Sequence, residues 1–364
     1  MFSRKKNSIL WKLGIFLLGF VVSAGLSLYP RAEKTIAHPT VIDSQTAIRA
    51  EVAAADTRAI DAKIAPFTLA QGQPVDTKEI RIGYQKYGTL NLLKAKNSLE
   101  ERLKPKGISV KWILFPAGPQ LLEALNAGSV DFGSTGEAPP IFAQAAGAPL
   151  VYVGHEPPNP KGEGILVKQD SPIKTVADLK GKKIALNKGS NVHYFLIKAL
   201  ESANLKYSDV KPVFLPPGDA RPAFEQGSVD AWAIWDPFYT KAKRDLNARI
   251  VRDGTGLVAN REFYLAAKPF AQQYPDRVKA ILDELNKVDG WAKANPKAVA
   301  ELLSPQLGID VPTLEEITRR RPYGVQRPLK PDVIAYQQNV ADIFQELGLI
   351  PKPIRVKDAV IQLK

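Results

Sequence analysis

Two stretches set the reading of the chain: "LLEALNAGSVDFGSTGEAPP", Leu121 to Pro140, and "ARPAFEQGSVDAWAIWDPF", Ala220 to Phe238. Each opens with apolar residues at helical spacing, reaches the same four residues Gly-Ser-Val-Asp, passes through a short apolar run and ends in a loop carrying proline. A glycine just past the last periodic residue is a helix stop, and the apolar run after it reads as a strand. Prolines suit the first turn of a following helix, where the N–H they lack has no partner anyway. Helix, turn, strand, loop and helix thus occur twice in separate parts of the chain. That predicts two similarly built α/β lobes rather than a solenoid, whose repeats recur at a short fixed period.

The flanking sequence extends both units. "EIRIGYQ" (Glu79 to Gln85) alternates as a strand, "SLEERLKPKG" reads as helix and turn, and "ISVKWILF" as the next strand. "PPIFAQAAGA" is a helix and "PLVYVGHE" a strand, after which "PNPKGEG" is a loop and the pattern restarts. "GILVKQD", "KKIALNKGS" and "VHYFLIKALESANL" supply strand, strand into a glycine turn, and amphipathic helix. Beyond about Thr255 come a strand "FYLAAK" and then mostly helices, which are expected to cover the first lobe.

Composition removes several kinds of chemistry. The 364 residues include no cysteine, so disulfides, zinc ribbons, iron–sulfur clusters and thiol nucleophiles are excluded. His38, His155 and His193 are the only histidines and show no HExxH spacing, so neither a metal site nor a cofactor is expected. GxSxG, a phosphate-binding P-loop and a GxGxxG after a strand are all missing, so no enzymatic activity is expected. The formal charge is +13. With no basic stripe interleaved with aromatics, and only one short dense run, "RRRPYGVQR", this suggests small anionic partners rather than nucleic acid.

The N-terminus points outside the cytoplasm. Arg4 to Lys6 form a basic start and Leu13 to Tyr29 carry no charge, the layout of an export signal or, at that length, of an uncleaved membrane anchor. Residues 1–32 are assigned to that signal or anchor and 33–75 to an Ala-, Thr- and Gln-rich spacer, with folding beginning at Asp76. Membrane contact is expected only through this N-terminal segment.

Ligands of open α/β sheets lie off the carboxyl ends of the strands, where loops enter helices whose first N–H groups are unpaired. Four segments fit. In "YQKYG", Gln85 can bond a ligand or cap a turn, and Lys86 can supply charge. In "GSTGEAPP", Ser134, Thr135 and the Gly136 N–H can donate to an oxyanion or serve as an ordinary helix cap. In "NKGSNVHYF", Gly189 permits close backbone approach and Ser190 and Asn191 open a helix. His193 then falls in the first turn, held neutral by the positive helix end, as a ligand donor or a structural group. In "WAIWDPF", alternation places Trp232 with Ile234 in the core and leaves Trp235 for the cleft edge, beside Asp236. Arg221, in the loop read before a helix, can bind an oxyanion or pair with Asp219.

Taken together, "IGYQK", "FPAGPQLLEALNAGSVDFGSTG", "PPIFAQAAGAPLVYVGHEPP", "ILVKQDSPIKTVADLKGKKIA", "KGSNVH", "DARPAFEQGSVDAWAIWDPF" and "FYLAA" resemble the ABC-transporter solute-binding proteins for aliphatic sulfonates. These belong to a wider nitrate, sulfonate and taurine group, and the likeness runs from about Ile80 to Pro353. It implies a type II periplasmic-binding-protein fold, two α/β lobes joined by a two-strand hinge. Lobe 1 would hold residues 76–160 and 256–364, and lobe 2 residues 161–255. It implies a monomer that binds a small organic sulfonate between the lobes and delivers it to a permease and its ATPase. The matching ligand positions are Gln85, Ser134, Thr135, Gly136, Gly189, Ser190, His193, Trp235 and Asp236, to which the residue reading adds Asn191. Taurine, nitrate or another small anion are the alternatives, taurine needing a carboxylate for its ammonium that Glu137 or Asp236 would supply. A same-fold enzyme or a tethered sensor is a more distant one.

Overall fold

The computed structural model describes residues 78–363; the expected leader and spacer lie outside the described residues. Among the described residues, ten strands form two five-stranded sheets. The first contains β1 (Glu79–Tyr84), β2 (Ser109–Leu114), β3 (Phe132–Thr135), β4 (Leu150–His155) and β10 (Phe263–Ala267), in the order β2-β1-β3-β10-β4. The second contains β5 (Glu163–Val167), β6 (Lys183–Leu186), β7 (Lys211–Phe214), β8 (Ala231–Trp235) and β9 (Arg249–Asp253), in the order β7-β6-β8-β5-β9. The plans match. In each sheet one strand pairs in parallel with two neighbours, while the strand that returns from the other lobe is antiparallel to both of its own neighbours.

Around the first sheet lie α1 (Thr89–Lys96), α2 (Ser98–Leu103), α3 (Gly118–Asn126) and α4 (Pro139–Ala145). The second sheet carries α5 (Asn191–Ser202), α6 (Pro217–Glu225) and α7 (Phe238–Asp245). The C-terminal part supplies α8 (Lys268–Gln273), α9 (Pro275–Ala294), α10 (Pro296–Leu307), α11 (Val311–Arg320) and α12 (Pro331–Glu346).

The repeated Gly-Ser-Val-Asp turn has a physical reason at each residue. Gly128 and Gly227 stop α3 and α6 at φ 71° and 76°, a left-handed conformation that disfavours a side chain. Ser129 and Ser228 then donate their N–H back to the carbonyls of Ala124 (2.8 Å) and Ala223 (2.9 Å), closing the helix end. Val130 and Val229 are buried. Asp131 and Asp230 accept the N–H of Arg81 (2.8 Å) and Lys183 (2.7 Å), fastening each turn to the first parallel strand of its own sheet. One four-residue device therefore aligns helix and strand in both lobes.

Two crossovers, 156–162 and 254–262, join the sheets and run side by side, the first ending in a 3-10 turn at Pro160–Gly162. Glu156 N–H bonds the Glu262 carbonyl (2.8 Å), Asn159 N–H that of Ala259 (2.9 Å), and Gly254 N–H that of Pro160 (3.0 Å). One apolar core covers the outer face of each sheet, and a third is continuous between them, containing Leu121, Ile141 and Phe263 from one side and Ile165, Ile184 and Phe195 from the other. Trp232 packs in the second lobe's own core against Phe224, as its alternation predicts.

Three local expectations need correction. Ser134 and Thr135 belong to β3 rather than to a helix start, because β10 pairs Tyr264 with Ser134 and Phe263 with Thr135 and so extends the strand; α4 begins only at Pro139. Asp219 and Arg221 lie within α6, where Arg221 pairs with Glu225 (2.7 Å) and Asp245 (3.1 Å) and is no ligand of the cleft. The C-terminal helices do not all stay with the first lobe. Phe344 of α12 packs its ring on Phe142 of α4 (centroids 4.8 Å) and on Tyr194 of α5 (6.0 Å), so α12 straddles both.

Candidate functional site

The carboxyl ends of the parallel strands from both sheets open on one cleft, for the reason given by the topology: each strand runs toward the other lobe before its loop turns back into a helix. One wall comes from the end of β1 (Gln85 to Gly88) and the end of β3 (Ser134, Gly136); the facing wall is Asn191, Trp235 and Asp236. The crossovers and the residue after α11 form the floor with Glu156, Asn260, Arg261, Glu262 and Arg321.

Six of the ten expected residues line this cleft: Gln85, Ser134, Gly136, Asn191, Trp235 and Asp236. The other four do not. Thr135 points to the opposite face of β3, is fully buried, and donates its hydroxyl to the Gly136 carbonyl (3.0 Å). The Gly189 N–H is taken by His193 Nδ1 (3.2 Å), and the Ser190 hydroxyl turns back to the Asn187 carbonyl (2.7 Å). His193 is a structural histidine. With Nδ1 accepting, its single ring proton belongs on Nε2, which faces the Tyr207 hydroxyl at 2.8 Å. The ring lies among Phe142, Phe214 and Phe344, and this burial lowers its pKa to about 4, with Lys188 adding to the effect.

The two carboxylates weighed as amine partners have other work. Glu137 is fully buried, accepting from the Arg261 N–H and the Tyr336 hydroxyl (both 3.2 Å), and burial raises its pKa to about 7. Asp236 accepts from the Thr240 hydroxyl (2.7 Å) and N–H (3.2 Å) and pairs with Arg320 (2.5 Å). Arg320 comes from α11 of the other lobe, so this pair crosses the cleft. Burial raises the Asp236 pKa while Arg320 opposes the rise.

The floor is an ionic cluster that patterning alone left unread. Arg321 pairs with Glu156 (2.6 Å) and with Glu262, whose other carboxylate oxygen accepts the Ser134 hydroxyl. Glu156 and Asp289 both lie within bonding distance of the Thr89 hydroxyl, at 2.7 and 2.8 Å. A hydroxyl has one hydrogen to give, so one of those bonds runs the other way and one carboxyl carries a proton. Asp289 fits that role: burial, and then the nearby Glu156, raise its pKa to about 8. The floor therefore gathers the carboxyls of Glu156, Glu262 and Asp289 around Arg321, with Arg261 alongside.

Helix ends differ across the cleft. Gly88 begins α1 on the floor side, and a Cβ built there would stand 3.7 and 3.8 Å from the two Glu262 carboxylate oxygens. The chain's own anion thus sits at that N-terminus. Across the cleft, α5 receives no side-chain cap because Ser190 bonds backwards. Arg261 and Arg321 also retain buried Nε–H groups that lack a hydrogen-bond partner among the described residues. The lobes approach closely, since a Cβ at Gly136 would meet the Asn191 Cβ at 2.9 Å.

Arg261, Glu262, Arg321 and Glu156 were missed by patterning. The "RRRPYGVQR" run and the residue preceding "FYLAA" were visible, but nothing local tied them to a common floor.

Comparison with known proteins agrees with this architecture. The model of the family described as NMT1/THI5 like matches residues 103–299. A protein of Escherichia coli (strain K12) named for aliphatic sulfonates binding is 46% identical over 297 residues, 81% of this chain and 92% of its own length. The solved structure of the periplasmic aliphatic sulphonate binding protein SsuA from Escherichia coli matches with TM-score 0.72, covering 79% of this chain and 94% of that one. The alkanesulfonate-binding protein SsuA from Xanthomonas axonopodis pv. citri, bound to MOPS, matches with TM-score 0.76 and 43% identity, covering 79% and 99%.

Proposed function

The chain belongs to the family of aliphatic sulfonate-binding proteins, and from that premise we propose that it captures a small organic sulfonate in the interlobe cleft and passes it to a permease with its ATPase. The observation that supports this most directly is the set of donors gathered around one space. Arg261, Arg321 and Asn191 at the start of α5, which no side chain caps, all line the cleft. An oxyanion entering the cleft would receive charge-assisted hydrogen bonds from guanidinium groups. Sulfonate is suited to this because its three oxygens accept and its charge does not depend on pH.

Gln85 and the Gly136 N–H extend the donor set, Lys86 adds positive charge at the exposed rim, and Trp235 offers apolar area for the organic tail. Closure of one lobe on the other would then surround the ligand. Binding without chemical change is the role, and no cofactor or metal takes part. The protein acts as a monomer outside the cytoplasmic membrane, with residues 1–32 serving as export signal or anchor and 33–75 as spacer.

A thermal-shift series on the full-length chain tests this with butanesulfonate, taurine, sulfate, nitrate and bicarbonate. A sulfonate present at about a hundred times its Kd should stabilise the fold by about 2.7 kcal/mol. A shift with nitrate or bicarbonate alone sinks the sulfonate reading.

A further inference from the structure

The floor presents carboxyl groups that a ligand which is only an anion would leave without a donor. Beside Arg321 and Arg261 it gathers three carboxyl groups, Glu156, Glu262 and Asp289, so carboxyls outnumber guanidinium groups there. The cations available to a sulfonate are Lys86, at the end of β1, and Arg261, beside Glu262 on the second crossover. A ligand that places its sulfonate against those groups and the α5 start presents its other end to the acidic floor.

Only one floor carboxylate is both reachable and unsaturated. Glu156 has a side chain 3% exposed, with Oε1 within bonding distance of Thr89 and Tyr264 and Oε2 on Arg321. The Glu262 side chain is 21% exposed, and its two oxygens each hold a single bond, to Ser134 and to Arg321. Each oxygen keeps a further lone pair. Glu137 and Asp236 are already held by Tyr336 and by Arg320 with Thr240, and Glu163, bonded to Asn191, is fully buried and out of reach.

We propose that Glu262 is a specificity-determining residue that selects zwitterionic aminoalkanesulfonates, its carboxylate receiving the ligand's ammonium while the sulfonate lies against Arg261, Lys86 and the start of α5. This rests on the sulfonate reading of the same cleft. An ammonium donates three hydrogens to those lone pairs, whereas an alkyl terminus leaves them unmet.

Homotaurine and butanesulfonate differ by an ammonium in place of a methyl, and calorimetric titration of the full-length protein with each is the test. Wild type should prefer homotaurine by roughly 10- to 100-fold, the range of a charge-assisted hydrogen bond. Glu262→Gln should abolish that preference, so that the variant binds homotaurine and butanesulfonate equally within about two-fold. Equal wild-type affinities overturn the proposal without any variant, so it stays decidable if Glu262→Gln does not fold. A variant that binds both compounds more tightly overturns it too, because Glu262 would then be a competitor for the anion site. Binding of butanesulfonate without discrimination defeats this inference alone; binding of neither compound defeats the sulfonate reading with it.

Discussion

The two lobes share one plan and present opposite chemistry. Each sheet has the same strand order, each has a Gly-Ser-Val-Asp turn fastened to its first parallel strand, and each sends a helix N-terminus toward the cleft. On the first lobe that N-terminus already faces the Glu262 carboxylate, above a buried cluster of Arg321, Glu156 and Asp289. On the second lobe the helix start is uncapped and its neighbours are Asn191 and Trp235. The difference teaches that equivalent helix starts face a carboxylate or an open cleft according to which side chains the crossovers and C-terminal helices add.

The largest effect should follow from removing the guanidinium that pairs with both Glu156 and Glu262. Arg321→Ala leaves Glu156 and Glu262 without counter-charge and should cost about 3–5 kcal/mol, read by chemical denaturation. A loss within the range of a surface substitution would mean that the floor is solvated and that the contrast between the lobes is shallow.

Acidity separates the regions next. Burial holds Asp289 up to about 8 and Glu137 up to about 7, so folding favours their protonated forms. That contribution is fully present below the ordinary carboxyl range and is lost as pH rises through those two values. The melting midpoint should therefore fall between about pH 5 and about pH 9, and Asp289→Asn should flatten the upper part of the decline. A midpoint that rises over this window contradicts the proton assignment at Thr89.

Arg320→Ala removes the ion pair that the first lobe extends to Asp236 and should cost about 1.5–3 kcal/mol. Small-angle scattering of the ligand-free variant should show a more extended molecule; an unchanged radius of gyration would mean that this pair does not hold the lobes together. Gly136→Ala tests the closest approach between the walls and should weaken sulfonate binding by about 1 kcal/mol or more while sparing the midpoint. Equal affinity would show that Asn191 can withdraw.

Much of this was legible along the chain. The twin turns predicted two α/β lobes because helix stops and strand periods are local properties of sequence, and alternation alone separated core Trp232 from cleft-lining Trp235. Errors arose where a distant strand decided the outcome. Ser134 and Thr135 read as a helix start, yet pairing with β10, far along the chain, made them strand and turned Thr135 away. His193 stands at a helix start as expected, but the helix rotation and the aromatic rings of α4 and α12 enclose it.

The sequence by itself determined the lobes, the loops that face the cleft, the absence of thiol chemistry and the family likeness, all of which depend on spacing and composition. Only the tertiary structure decided the character of the floor. Arg321, Glu262, Glu156 and Asp289 are far apart in the chain, and their charge states follow from burial and mutual distance, which exist only once the crossovers and the C-terminal helices have packed.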